Sequence, residues 1–570
     1  MLKKIFLSLL IMVITIATFT SCKSGLAPFA SNYYVKAEPQ PLEMIGNQVP
    51  VTINVTFPAG WFNKNVSLTL VPILRHEDGE AVGSSYLFQG EKVAGNGQVI
   101  SQKNGANVVL RSTFDYVPAM KNGQLLLTFK GTAGNKKVNL PDIEITNGVL
   151  ATASLLDAGS EAPAIAPDKF QRIIKEAHDA NIMFLVRQAE LRSSELQKGE
   201  LIDWQDIVAS ANAADNQRVE IEISSYASPE GGFQLNDQLA KQREVNTEKY
   251  LVKELQQSNA YVPVNARYTA QDWDGFQALV EKSNIQDKEL ILRVLAMYSD
   301  TEQREREIKN ISALYSTLSE EILPQLRRSR LTANIEIIGK SDEEISGLAQ
   351  SNPRALNVEE LLYAATLTST LSDKENIYKK VTELFPQEAR GFNNLGVIEY
   401  TKGNFSQATA LFQKANQLSG SLPEANLNLG WTALTENDAA KAEQYFGNAA
   451  GIPELNNAMG YLAVLKGDYP QAVQLFGSSA SNNAALSQIL TKDYNKAMAT
   501  LNAIPSPNAD TYYMKAIVDA RTNNLTNAVN NLQRAIAINP DLAVRAVIDL
   551  EFAKYLTNNQ FLNVIAKSRN

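Results

Sequence analysis

At 570 residues the chain is longer than one hydrophobic core organises, so several domains are expected. Hydrophobic residues make up 44% and charged residues 20%, enough apolar content to fill those cores. A net charge of −8 with no long basic run excludes nucleic acid as an expected partner. The single cysteine excludes an internal disulfide. Two histidines far apart, His76 and His178, make no metal cluster. No nucleophile–base pair and no glycine-rich phosphate loop stand out, so neither an enzyme nor a cofactor is expected.

Met1-Leu2-Lys3-Lys4 is a basic start, followed by an apolar run over 5–19 and then Thr20-Ser21-Cys22. This pattern predicts a secretory signal over 1–21, and the run is short for a membrane span of about 20 residues. Small residues directly before the only cysteine resemble a bacterial lipobox. The resemblance implies lipid attachment at Cys22, cleavage before it and a short tether over 22–32. No acidic residue follows Cys22 before Glu38, which favours an orientation facing the periplasm; the protein that the resemblance implies is an outer-membrane lipoprotein.

Residues 33–150 read as strands. Val51, Ile53, Val55 and Phe57 alternate with polar residues, as do Val66, Leu68 and Leu70. Further strands are predicted at 107–116, 125–130 and 138–145, separated by Gly- and Asn-rich turns. About seven short strands predict a β-sandwich. Residues 151–167, rich in Ala, Gly, Ser and Pro, read as a linker, after which Asp168 caps a predicted helix through Phe170, Ile173, Ile174 and Ala177.

Over 168–340 the order is a strand at 182–186, a helix with Trp204, Ile207 and Val208, and a strand at 219–223. Then come Ser225-Tyr226-Ala227-Ser228-Pro229-Glu230-Gly231 and a helix opening on Leu235-Asn236 and containing Arg243. A helical stretch over about 270–325 precedes Arg327-Arg328-Ser329-Arg330 and a strand at 331–338. This succession resembles the OmpA C-terminal domain, with a helical insertion. The resemblance implies an α+β fold and a peptidoglycan site in which an acid and an arginine clamp the ammonium and carboxylate of a diamino acid. Carried over, the candidate site is Tyr226, Ser228, Glu230, Asn236 and Arg243. Ser228 stands where that family has its Asp, and Ala227 where it has a Thr.

After a linker over 341–355, residues 356–570 are helical and repeat. Ala408/Phe412, Ala442/Phe446, Ala472/Phe476, Ala497/Leu501 and Ala528/Leu532 each set a small residue four before a large one on the same helix face. Gly396, Gly430 and Gly460 recur in the preceding helices. The pattern resembles tetratricopeptide (TPR) repeats, with a degenerate unit over 356–385. It implies a solenoid that binds a protein partner on its concave face, where Asn393, Asn394, Asn426, Asn428, Asn456 and Asn457 offer amides to a peptide backbone.

The fold class expected is multidomain: an N-terminal β-sandwich, a central α+β OmpA-like domain with a helical insertion and a C-terminal all-α TPR solenoid. Two functions remain open. One is a lipid-anchored protein linking the membrane to peptidoglycan and to a protein partner. The other is an accessory scaffold subunit of an outer-membrane assembly or secretion complex, without peptidoglycan binding.

Overall fold

The computed structural model describes residues 34–567 apart from 139, 259, 286–287 and 311; the signal segment and Cys22 lie outside the described residues. The chain forms two units. One is the chain up to Ala166 together with the chain from Pro386 onward; the other is Pro167–Phe385.

The first unit begins with β-structure. Strands β1 (Val35–Glu38), β3 (Gln48–Phe57) and β8 (Ala106–Asp115) make one antiparallel sheet. A larger sheet runs β10 (Lys136–Val138), β9 (Gln124–Ala133), β4 (Val66–His76), β6 (Tyr86–Gly90), β7 (Gln98–Ile100), with β5 (Gly79–Val82) on β4 and β11 (Ile143–Asn147) on β9. Short β2 (Leu42–Glu43) and β12 (Val149–Leu150) pair in parallel. The alternation buries Val49, Val51, Ile53, Val55 and Phe57 from β3, which share one core with Leu68 and Leu70 of β4 and Leu125 and Leu127 of β9. The long strands follow their predicted positions. The strand predicted at 138–145 falls instead between two short ones, β10 ending at Val138 and β11 starting at Ile143, and the remaining strands of two to five residues show too few residues for a period.

The second unit has a sheet in the order β13 (Ile173–Met183), β16 (Arg328–Ile338), β14 (Gln217–Tyr226), β15 (Val264–Thr269), with only β14 and β15 parallel. Helices α1 (Ser193–Leu196), α2 (Gly199–Ala213) and α3 (Phe233–Gln257) accompany it. Ala180, Ile182, Ile221, Ile223, Leu331 and Ala333 of the sheet pack on Leu201, Trp204 and Val208 of α2 and Leu251 of α3. An insertion of α4 (Trp273–Lys282), α5 (Lys288–Met297), α6 (Thr301–Asn310) and α7 (Ser312–Glu321) has its own core around Phe276, Val280, Ile291, Leu295, Ile308 and Leu318. Helices α8 (Asp342–Ser351), α9 (Val358–Ala364) and α10 (Leu371–Leu384) complete the unit.

Three expectations are corrected here. The helix predicted through Phe170, Ile173, Ile174 and Ala177 is instead β13, paired residue for residue with β16 from Ile173↔Ile338 to Met183↔Arg328. A complete antiparallel ladder outweighs local helical spacing, and Ile173 and Ile174 stay exposed. The segment read as a linker over 341–355 holds α8, started by a capping box between Ser341 and Glu344. The pair α9/α10, expected to open the repeats, belongs to the second unit.

The remainder of the first unit is an array of helix pairs: α11 (Ala389–Thr401) with α12 (Phe405–Ser419), α13 (Pro423–Thr435) with α14 (Ala439–Gly447), α15 (Leu455–Leu465) with α16 (Tyr469–Phe476), α17 (Asn482–Leu490) with α18 (Tyr494–Ala503), and α19 (Ala509–Arg521) with α20 (Leu525–Ile538). Helices α21 (Leu542–Ile548) and α22 (Asn559–Lys567) follow. The small–large pattern is the packing itself. A Cβ on Gly430 would lie 2.2 Å from the Phe446 ring, and Gly396 faces Phe412 in the same way. Ala408, Ala442, Ala472, Ala497 and Ala528 are buried. Tyr469 of α16 accepts from the Gly46 N–H at 3.0 Å, which ties the array to the β-structure.

Candidate functional site

The first helices of the array line a groove, and the chain fills it with its own residues 157–166. The segment predicted as a linker is therefore a seated strap, a further correction. Asn394 Oδ1 accepts from the Ala166 N–H at 2.8 Å, and its Nδ2 donates to the Ala166 carbonyl at 2.9 Å. Asn428 grips Ala164 in the same two-bond manner, at 2.7 and 2.8 Å. Asn483 does so with Asp157, at 3.1 and 2.8 Å. Asn393 adds a bond to the Ala164 carbonyl and links Asn394 to Asn428 through amide–amide bonds. Tyr400 donates its hydroxyl to the Ala158 carbonyl at 3.2 Å. An asparagine amide has one donor end and one acceptor end, so it satisfies a residue's N–H and C=O as a neighbouring strand would.

The repeat explains the spacing. Asn394, Asn428 and Asn483 each lie fourteen residues before a packing alanine, Ala408, Ala442 and Ala497. Ala458 holds the equivalent place before Ala472, and there the ladder skips a rung. Of the six asparagines singled out from the sequence, Asn393, Asn394 and Asn428 touch the strap. Asn426 instead bonds Asn416, Ser421 and the carbonyls of Leu422 and Asn448. Asn457 bonds Ser479, and Asn456 is exposed. Asn483 was missed although its repeat position marks it.

Ahead of the strap, a buried ionic group holds Thr152. Arg521 pairs with Glu551 at 2.6 Å and donates to the Thr152 hydroxyl at 3.1 Å, and Thr152 bonds Glu551 in turn. Further along, Glu161 is buried and accepts from Asn483 Nδ2 at 2.8 Å. Burial raises its pKa above the ordinary carboxylate value, the Asn483 bond lowers it and Asp157 adds to the rise.

The five residues taken from the OmpA resemblance do converge in the second unit, but they engage their own neighbours. Arg243 is 1% exposed and donates to the carbonyls of Gln188, Tyr226 and Leu185, with its guanidinium over the Phe184 ring. Burial, with Arg327 nearby, pushes its pKa down to about 10. Asn236 donates to the carbonyls of Ser228 and Gly231. Ser228 donates to Glu230, whose carboxylate meets Arg327 through two bonds at 2.9 and 3.1 Å. Pro229 and Glu230 line a small apolar cavity with Trp273, Phe276 and Ile308 of the insertion. Tyr226 turns its ring to Arg328, whose guanidinium lies 4.8 Å from the ring centre.

No family model and no curated protein matches the chain. Among solved structures it is similar to a tetratricopeptide repeat protein from Parabacteroides merdae, at 13% identity over 40% of this chain and 91% of that one, with a TM-score of 0.28. It is also similar to a TPR protein of Thermus thermophilus (18% identity, 28% and 89% covered, TM-score 0.22) and to pilF of Pseudomonas aeruginosa (12%, 40% and 100%, TM-score 0.26). These scores are low, and the helix-pair packing carries the repeat assignment by itself.

Proposed function

We propose that the chain is a non-enzymatic scaffold lipoprotein of the outer membrane, held by a lipid on Cys22 and facing the periplasm. In this reading the β-structure and the TPR-type array meet a protein partner, and the second unit is an OmpA-like domain. The observation that supports it is the asparagine ladder: the array holds the main chain of Asp157, Ala164 and Ala166 by side-chain amides while burying the two alanines, an arrangement suited to binding.

Of the two functions open from sequence, the accessory subunit without peptidoglycan binding is the better supported. A diamino-acid clamp needs a carboxylate and a guanidinium free to meet a ligand. Arg243 already serves three carbonyls, and Glu230 is paired with Arg327. Co-sedimentation with peptidoglycan sacculi tests this. The mature protein is expected to stay in the supernatant. Sedimentation that disappears in a folded Arg243→Ala variant restores the linking function. The anchor is tested separately: Cys22→Ala should abolish lipid labelling and membrane fractionation.

A further inference from the structure

The occupant of the groove shows what the groove selects. Asn394, Asn428 and Asn483 hold peptide N–H and C=O groups, which every chain possesses, so these bonds carry no preference for sequence. Selection rests with the side chains that point inward. Ala164 and Ala166 are buried, whereas Ile165 between them is 42% exposed. From Ala164 to Ala166 inward and outward positions alternate as in a strand, and the two inward places hold no more than a methyl group, whereas residues 158–161 turn, with Glu161 buried.

The strap is also not the best occupant of its own seat. Its alanines bring little apolar area. Glu161 is a buried carboxylate that forms no ion pair among the described residues, and burial disfavours its charged form. The hold therefore rests largely on main-chain bonds that another peptide makes equally well.

We propose that residues 157–166 are a cis competitor in the groove, which exchanges them for a partner peptide that lies extended along Asn394 and Asn428 and carries Ala, Ser or Gly at the two alternate positions facing them. The proposal rests on the scaffold reading and adds what the partner presents. The strap is covalently attached, so its effective concentration is on the order of millimolar and a free peptide binds the intact protein weakly.

The probe is a fluorescein-labelled synthetic peptide with the sequence of residues 157–167, read by fluorescence polarisation against the whole mature chain. Ala164→Arg with Ala166→Arg unseats the strap, because neither buried position admits a long cation. Half-saturation is expected at a concentration at least tenfold lower than for wild type. Adding Asn428→Ala should cancel that gain, and Glu161→Gln, which tightens the strap, should weaken peptide binding relative to wild type. No gain in an unseated variant with wild-type helical circular dichroism overturns the proposal.

If that variant does not fold, hydrogen exchange on wild type decides. Saturating peptide should raise exchange at the Ala164 and Ala166 amides severalfold, and unchanged protection overturns the proposal. Native electrophoresis of membrane extracts separates the two ideas. A chain that migrates in a complex while both peptide measurements fail loses the competitor and keeps the scaffold.

Discussion

Asn428 and Ala164 are bound twice, N–H to Oδ1 at 2.7 Å and Nδ2 to C=O at 2.8 Å, across more than two hundred residues of sequence. Asn428 is 0% exposed, so neither end of its amide has water as an alternative. Asn394 and Ala166 repeat the arrangement one helix pair earlier. The strap is thus a structural part of the array wherever it is seated.

Asn428→Ala leaves the Ala164 N–H without its acceptor and Asn393 without its neighbour. Each buried group stranded in this way costs about 1–3 kcal/mol. We expect a loss of about 2–4 kcal/mol and faster proteolysis at the exposed Gly159 and Ser160. Denaturant unfolding and limited proteolysis measure both. Wild-type values for the two would show that the ladder adds nothing.

The glycines of the first helices form a graded series. Alanine adds about 1 kcal/mol of helix propensity over glycine, while overpacking costs about 1–3 kcal/mol. The nearest ring atom to the new methyl lies at 2.2 Å for Gly430, 2.7 Å for Gly396 and 3.0 Å for Gly460. Gly430→Ala should be the most destabilising, Gly396→Ala intermediate and Gly460→Ala close to neutral. Melting temperatures that reverse this order would contradict the ring packing.

Glu161 makes stability depend on pH. Its pKa in the fold is raised by burial, so the native state holds the proton more firmly than the unfolded chain, whose value is about 4.3. Stability should then fall as pH rises from the unfolded value through the folded one, and level off above it. Glu161→Gln should remove this component and raise the melting temperature at neutral pH. Parallel pH profiles for the two proteins would show that the carboxylate is not buried in solution.

Arg243 is expected to be a structural residue. Lysine has one point-like ammonium and cannot reach the carbonyls of Leu185, Gln188 and Tyr226 together. Arg243→Lys should therefore destabilise the second unit by about 2–4 kcal/mol, two or more buried carbonyls losing a donor. Chemical unfolding reads the effect. A neutral result would indicate an arginine free to move, and would reopen a ligand role for it.

Much of the helical array was legible in advance, because its packing recurs. A helix pair stacks where a small residue meets a large apolar one, so Gly430 against Phe446 and its equivalents mark the register from sequence. The long strands β3, β4, β8 and β9 were legible for a similar reason: one buried face imposes a period of two. The residues after Asp168 form a strand against their local pattern, since Phe170, Ile173, Ile174 and Ala177 have helical spacing and only the β16 partner makes 173–183 a strand. Asn483 is legible only through its distance of fourteen residues from Ala497, the same as Asn394 from Ala408 and Asn428 from Ala442.

Periodicity alone determines the repeat, its turns and the placing of amides on one helix face, because each depends on residues close together in the chain. What those amides hold was decided by tertiary structure. An asparagine on a groove wall serves a foreign peptide, water or the chain's own backbone with the same two atoms. Only the path that brings Ala164 to Asn428 and Asp157 to Asn483 selects among them. The same is true of Arg243: its place on α3 is local, but burial and three carbonyls from other segments set what its charge can do.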